Sequence, residues 1–169
     1  GGVRSGTLTV AGQTVTIYQL ARSRSLDTDG DGKGEISVYR PSTGYWFVRQ
    51  STNGYSVAGH QQYQRGLTGD LPITGDFDGD GRTDITVYRP SNGEWYIRYS
   101  STGYAIPGYG LYQWGLSGDL PITGGDFDGD GRTEIAVYRP TTGQWYIRYS
   151  SQGYAVPSYG LYQWGLVGD

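Results

Sequence analysis

The sequence predicts an all-β fold made of repeated units of four short antiparallel strands, and three observations lead to that prediction. The first is an acidic segment, GDFDGDGRTDITVYRP at 75–90, which returns at 125–140 and, in a weaker form, at 26–41. The second is the spacing of the three copies, 49 and 50 residues apart when counted from the first loop aspartate of each. A fixed period of about 40 to 50 residues is typical of propellers, solenoids and related arrays. The third is composition, because the 169 residues include 30 Gly and 17 Tyr and no long segment shows a helical period.

Four strands can be placed in order within one unit. LPITGDF leads into the acidic segment, and DITVYR leaves it with Ile85 and Val87 on one face and Thr86 and Tyr88 on the other. The turn PSNG, the strand EWYIRYS, the tight turn STG and a last strand within YAIPGYGLYQWG follow. Pro107 suits an edge strand or a bulge in that last segment. Because both faces of the strands carry apolar or aromatic side chains, each sheet is expected to lie between two others, as the blades of a β-propeller do.

The repeat divides the chain into about three and a half blades that together form one propeller-type domain. Residues 1–26 are predicted to be a partial blade, a hairpin that supplies the last two strands. Blade 1 continues over 27–70 from its acidic loop, blade 2 covers 71–119, and blade 3 covers 120–169. Propellers close with about four to eight blades, so this domain is expected to be incomplete by itself. It is either a piece of a longer protein or a unit that completes a ring with copies of itself as a homo-oligomer.

Twelve of the 16 acidic residues lie in the three loops, and their spacing indicates a cation site in each loop. The pattern Asp-x-Asp-x-Asp-Gly places three carboxylates on alternate residues of a tight turn, where they repel one another without a positive partner. An all-oxygen ligand set of this density favours Ca²⁺ over Mg²⁺ or Zn²⁺. Helical calcium loops need Glu at the twelfth position, which here is Val38, Val87 or Val137 within a strand pattern. The sequence therefore predicts calcium sites between strands, and the alternative is a solvated acidic turn without an ion.

The segment DFDGDGRTDITVYRP resembles an FG-GAP repeat, of the type found in bacterial extracellular repeat proteins and in the propeller head of integrin α subunits. The resemblance covers residues 26–169, with 1–25 included by inference. It implies calcium-binding β-propeller blades, with one Ca²⁺ in each loop between the first and second strands and three per chain. The first copy departs most, with Thr28 in place of Phe, Gly34 in place of Thr, and no LPITG before it. The implied ligands are four carboxylates and one backbone carbonyl per loop: Asp27, Asp29, Asp31, Lys33 and Glu35; Asp76, Asp78, Asp80, Arg82 and Asp84; Asp126, Asp128, Asp130, Arg132 and Glu134.

No catalytic set can be assembled from the sequence, so a non-enzymatic role is predicted. The single histidine, His60, lies in a Gln-rich turn region without an acidic neighbour in sequence, and there is no Cys, nucleophile elbow or phosphate loop. Scattered Lys and Arg and a net charge of −3 argue against a nucleic-acid partner, and no apolar run approaches the length of a membrane span. Calcium sites of extracellular modules are often weak, at about 10⁻⁴ to 10⁻³ M. This affinity range and the resemblance predict an extracellular or cell-surface location.

Recurring aromatic residues are the second candidate feature. Flat aromatic faces beside polar groups suit sugar rings, and packing between blades is the alternative reading of the same residues. We expect a calcium-stabilised extracellular binding or adhesion module whose partner is a glycan or a protein. The alternatives are a non-catalytic accessory domain of a secreted polysaccharide-degrading enzyme and a purely structural, self-assembling repeat. The candidate ligand-binding residues are Tyr109, Trp114, Tyr159 and Trp164.

Overall fold

The computed structural model describes residues 4–10 and 13–19 as backbone and residues 26–169 with their side chains. Strands β1 (Arg4–Val10) and β2 (Gln13–Gln19) form an antiparallel hairpin in which Arg4 is opposite Gln19. The hairpin predicted for the first 26 residues is therefore present, and its membership of a preceding blade stays a prediction. The rest of that predicted partial blade lies outside the described residues. Across the described ranges the regular elements are strands and short 3₁₀ turns, with no α-helix. No helix in these ranges has the length and hydropathy needed to cross a membrane.

Three further antiparallel sheets follow, and we keep the names blade 1, blade 2 and blade 3 for them. In each sheet the strands pair in chain order, as expected for a meander. Blades 2 and 3 have the four predicted strands, whereas blade 1 has three among the described residues. The strands are β3 (Ile36–Arg40), β4 (Tyr45–Arg49) and β5 (Gln61–Gln64); β6 (Leu71–Gly75), β7 (Asp84–Arg89), β8 (Glu94–Arg98) and β9 (Tyr109–Gln113); β10 (Leu120–Ile122), β11 (Ile135–Arg139), β12 (Gln144–Arg148) and β13 (Tyr159–Gln163).

The tight turn predicted between the third and fourth strands is a single 3₁₀ turn in each blade. These turns are Ser51–Asn53, Ser100–Thr102 and Ser150–Gln152, and each ends at a glycine in the left-handed conformation. The residue after that glycine is a tyrosine that also has a positive φ, between 57° and 60° in the three blades. A positive φ is uncommon for a bulky residue and indicates that tertiary contacts hold the tyrosine in place. Those contacts are described below.

The three sheets stack face to face, and we call the face toward the preceding blade the leading face and the opposite one the trailing face. Ile85 and Tyr104 on the leading face of blade 2 pack against Leu26, Trp46 and Val48 of blade 1. The larger core joins the trailing face of blade 2 to the leading face of blade 3. Its buried members are Ile73, Phe77, Tyr88, Trp95 and Ile97 from blade 2, and Ile135, Val137 and Tyr154 from blade 3. Blade 2 thus lies between two other sheets, as predicted, whereas ring closure and the total number of blades stay predictions.

Candidate metal centres and aromatic groove

The acidic loops lie where the repeat predicts, between the first and second strands of blades 2 and 3 and immediately before β3 in blade 1. In each loop several carboxylates each place an oxygen within 4.8 Å of the others. Asp80 is the one predicted carboxylate outside these clusters. It pairs with the Arg82 guanidinium at 2.7 Å and accepts the Ser100 hydroxyl at 2.8 Å. The three clusters are Asp27, Asp29, Asp31 and Glu35; Asp76, Asp78 and Asp84; Asp126, Asp128, Asp130 and Glu134.

The first aspartate of each loop shapes the turn through backbone amides. In blade 2, Asp76 accepts the N–H of Gly79 at 2.7 Å through Oδ1 and the N–H of Gly81 at 2.9 Å through Oδ2. Asp27 and Asp126 accept the equivalent glycine amides at 2.7 to 3.1 Å. Gly79 and Gly81 have φ of 80° and 88°, a conformation that side chains of L-residues rarely adopt. The alternating glycines therefore let one carboxylate fold the loop while the next carboxylates turn toward the same point.

The three residues predicted to supply backbone carbonyls anchor the loop through their amides. The N–H groups of Lys33, Arg82 and Arg132 each donate to the preceding aspartate, two residues earlier, at 2.8 Å. Because this arrangement concerns the amide and not the carbonyl, the role of these carbonyls as ligands stays a prediction.

The last carboxylate of each loop is buried. Asp84 is fully buried and accepts the backbone N–H groups of Phe77 and Ser100, both at 2.7 Å. Burial, together with a smaller effect of the negative charge of Asp78, raises the pKa of the Asp84 carboxyl to about 7. Burial likewise raises the pKa of Glu134 and of Glu35 above their usual range. Burial makes the charged form of these carboxyl groups unfavourable, and a cation bound beside them would stabilise that form.

The same loops also join consecutive blades through backbone hydrogen bonds. Thr83 of blade 2 donates its N–H to Asp27 O at 2.6 Å, and Asp27 N–H donates to Thr83 Oγ1 at 2.9 Å. Thr133 and Asp76 repeat the pair at 2.7 and 3.0 Å between blades 3 and 2. In blade 1 the position of these threonines is occupied by Gly34. The sequence analysis did not predict this role, although the Thr at the same place in two of the loops was the available signal.

A tyrosine hydroxyl completes each of these junctions. Tyr154 Oη lies 2.9 Å from Phe77 O of blade 2 and 2.7 Å from Thr133 O of its own loop. Tyr104 Oη lies 3.1 Å from Thr28 O and 2.8 Å from Thr83 O. These are the tyrosines with positive φ, so the unusual backbone conformation brings each hydroxyl to two loops at once. We call the Thr and Tyr contacts at one junction the latch.

The candidate ligand-binding aromatics fall in three different places. Trp114 and Tyr159 meet at the junction of blades 2 and 3, with ring centroids 5.2 Å apart, beside a groove of about 340 Å³. Tyr109 lies at the preceding junction, where the Arg65 guanidinium stacks over its ring at 4.0 Å. Trp164 is 80 % exposed on the trailing face of blade 3. The structure therefore brings only two of the four predicted residues together.

Packing and exposure are combined in the groove between blades 2 and 3. The Trp114 indole packs against the core, and its Nε1–H donates to Tyr146 O at 3.1 Å, so packing accounts for part of its role. Tyr159 remains 42 % exposed and stacks against Tyr146 with ring centroids 6.4 Å apart. Arg139 also lines the groove, and its guanidinium lies over the Tyr146 ring, 4.2 Å from the ring centroid. The groove thus offers aromatic faces beside a cationic hydrogen-bond donor.

Comparison with protein families finds a match to the FG-GAP-like repeat over residues 76–137. This segment begins at the acidic loop of blade 2 and ends within β11 of blade 3, and the match confirms the resemblance there. Comparisons with curated proteins and with solved structures return no match. The fold and the family match together define a β-propeller-type repeat module of stacked antiparallel sheets.

Proposed function

We propose that the chain is a calcium-stabilised extracellular binding or adhesion module of the β-propeller type, whose ligand is a glycan. The observation that carries the proposal is the recurrence of an oxygen-only carboxylate cluster at equivalent positions in all three blades. All three loops are also parts of the latches that join one blade to the next. A cation bound there would stabilise the junctions as well as the loops.

The residues present fit a hard cation. Every clustered side chain offers a carboxylate oxygen, which suits Ca²⁺ in its flexible coordination better than Zn²⁺. The raised pKa of Asp84 marks a charge that the protein alone does not compensate. Asp27, Asp29, Asp31 and Glu35, with the equivalent residues of the other loops, would hold the ion. The bound Ca²⁺ would supply positive charge that offsets the repulsion among the carboxylates, a structural and not a catalytic contribution.

Thermal unfolding with Ca²⁺ and with a chelator tests the calcium proposal. At a free Ca²⁺ concentration about 100 times the dissociation constant, each occupied loop adds about 2.7 kcal/mol to the free energy of unfolding. The midpoint should therefore rise by several degrees, and Asp84→Asn should reduce the rise. Glu94→Gln removes a carboxylate outside the loops and should leave the calcium-dependent rise unchanged. An unfolding midpoint that is the same in Ca²⁺ and in chelator would refute the proposal.

The glycan part of the proposal rests on the groove between blades 2 and 3. Its volume of about 340 Å³ is within the range of small-ligand pockets, about 300 to 1,000 Å³. Tyr159 presents an exposed ring there, and Arg139 is a charged donor that can hydrogen-bond to sugar hydroxyls. FG-GAP-like repeats typically occur in extracellular proteins, where both glycans and Ca²⁺ are plentiful.

A glycan array probed with the wild-type chain and with Tyr159→Ala tests this part separately. We expect binding to a subset of glycans and a loss of at least about tenfold in affinity in Tyr159→Ala, because one stacking face is removed. Tyr45→Ala is the control, since Tyr45 is 36 % exposed but lies in blade 1. Absence of binding to any glycan would refute the glycan assignment and would leave the calcium result as it stands.

A further inference from the structure

The trailing face of blade 3 is an exposed copy of a surface that blade 2 buries. A groove of about 360 Å³ on this face is lined by six residues: Phe127, Trp145, Ile147, Tyr149, Tyr162 and Trp164. The six equivalent residues of blade 2 all pack in the core shared with blade 3: Phe77, Trp95, Ile97, Tyr99, Tyr112 and Trp114. Phe77 is 1 % exposed, whereas Phe127 is 45 % exposed. The face is therefore built to be covered by the leading face of another blade of this type.

The leading face of blade 1 is the matching surface, which no other blade covers among residues 26–169. Ile36 and Val38 on β3 are 55 % and 60 % exposed. The residues at the same positions in blades 2 and 3 are at most 1 % exposed because the preceding blade covers them; these are Ile85, Val87, Ile135 and Val137. Tyr55 stands at the position of the latch tyrosines and donates to Gly34 O of its own loop at 3.2 Å. One chain thus carries both halves of a blade junction at opposite ends of its stack.

Charges at the two faces are complementary as well. Asp119 accepts the N–H of Leu116 at 2.9 Å, and the same carboxylate holds Arg139 at 2.8 Å. Asp169 forms the equivalent turn by accepting the N–H of Leu166 at 2.7 Å. Arg40 of blade 1 is the counterpart of Arg139, and its guanidinium lies over the Phe47 ring at 4.5 Å, with no ion pair to a carboxylate among the described residues. Asp169 therefore sits in the same turn as the carboxylate that binds Arg139, and Arg40 has no carboxylate partner within residues 26–169.

We propose that the trailing face of blade 3 binds the leading face of blade 1 of a second copy of the chain, with Asp169 pairing with Arg40 of that copy. Each copy carries one face of each kind, so the contact is head to tail and is satisfied on both copies when two chains close on each other. Two copies bring together six sheets of three or four strands, within the range of about four to eight in closed propellers, besides the two-stranded β1–β2 sheet of each copy. The proposal is therefore an alternative to the prediction that this hairpin belongs to a blade preceding blade 1. Gly34 lacks the hydroxyl and the side chain of the latch threonines, so this junction is weaker than those within the chain and dissociates reversibly.

Sedimentation equilibrium over a concentration series tests the proposal with two exposed-site variants. Val38→Arg disrupts the leading face, and Trp164→Arg disrupts the trailing face. Val156→Arg is the matched control, because Val156 is 59 % exposed and its blade 2 counterpart Ile106 remains 58 % exposed although blade 3 covers that face. All three positions point to solvent, and circular dichroism of the variants should equal that of the wild type.

We expect a reversible dimer for the wild type and for Val156→Arg, and monomers for Val38→Arg and Trp164→Arg at the same concentrations. A mixture of the two monomeric variants should again form dimers, because the intact trailing face of one meets the intact leading face of the other. A wild-type chain that stays monomeric throughout would overturn the proposal. Loss of the dimer in Trp164→Arg but not in Val38→Arg would also overturn the proposal, since that result indicates a contact between two trailing faces.

Discussion

The latch between blades can be tested by removing one oxygen atom. Tyr154 is 4 % exposed, and its hydroxyl lies within hydrogen-bonding distance of carbonyls from two successive loops. Burial raises the pKa of Tyr154 above its usual value, so the hydroxyl keeps its proton and acts as the donor. Tyr154→Phe keeps the ring and its packing but leaves both buried carbonyls without this donor. A buried polar group that loses its partner costs about 1 to 3 kcal/mol, so we expect the free energy of unfolding to fall by about 2 kcal/mol.

Tyr55→Phe is the matched control for this prediction. Tyr55 occupies the same position in blade 1, is partly exposed, and makes a single bond of 3.2 Å within its own loop. Removing its hydroxyl from the monomeric chain should cost less than about 0.5 kcal/mol, as is usual for exposed positions. Urea unfolding of the two variants and the wild type measures both values, and Tyr104→Phe should resemble Tyr154→Phe. Equal losses in Tyr154→Phe and Tyr55→Phe would show that the hydroxyl acts only within a blade and would refute the latch.

Two further predictions use the same contrast between a covered and an uncovered blade, with the chain monomeric. Phe77→Ala should lower the free energy of unfolding by about 3 to 5 kcal/mol because Phe77 is in the core, whereas Phe127→Ala should lower it by less than about 1 kcal/mol. Urea unfolding measures both values, and similar losses in the two variants would contradict the assigned stacking. Asp119→Asn should lower the free energy of unfolding by about 1.5 to 3 kcal/mol because it weakens the charged hydrogen bonds to Arg139. Asp169→Asn should lower it little, and calorimetry measures both values. A large loss in Asp169→Asn would mean that its carboxylate already has a strong partner within the chain.

The sequence predicts most of the fold because the information is local. All the strands of blades 2 and 3 were predicted from the repeat, the turn residues and the alternation of apolar and polar side chains. The carboxylate clusters were predicted from the pattern of the acidic loops. Within the described residues blade 1 has three strands, and its sequence lacks the LPITG that precedes the other two acidic loops. The tight turn after the third strand was predicted, whereas its 3₁₀ geometry and the positive φ of the following tyrosine, which recur in all three blades, were not.

The remaining features depend on contacts between distant parts of the chain. Trp114 and Trp164 stand in nearly identical segments, yet the first is partly buried and the second is 80 % exposed, because a further blade covers only the first. No local pattern separates them, so the sequence placed both among the ligand-binding candidates. Asp80 contacts Arg82 and Ser100, as Asp31 contacts Lys33 and Ser51, and its role as a ligand stays a prediction. The latch between Thr133 and Asp76 joins residues in different blades and appears only when the sheets are docked.

The number of Ca²⁺ ions bound per chain tests the central claim most directly. Isothermal titration calorimetry of the metal-free chain with Ca²⁺ measures this number together with the affinity. The three carboxylate clusters predict three ions per chain, and Asp126→Asn should reduce the number to two while the other two loops keep their affinity. No heat of binding and no bound ion at millimolar Ca²⁺ would contradict the account, because the acidic loops would then be solvated turns.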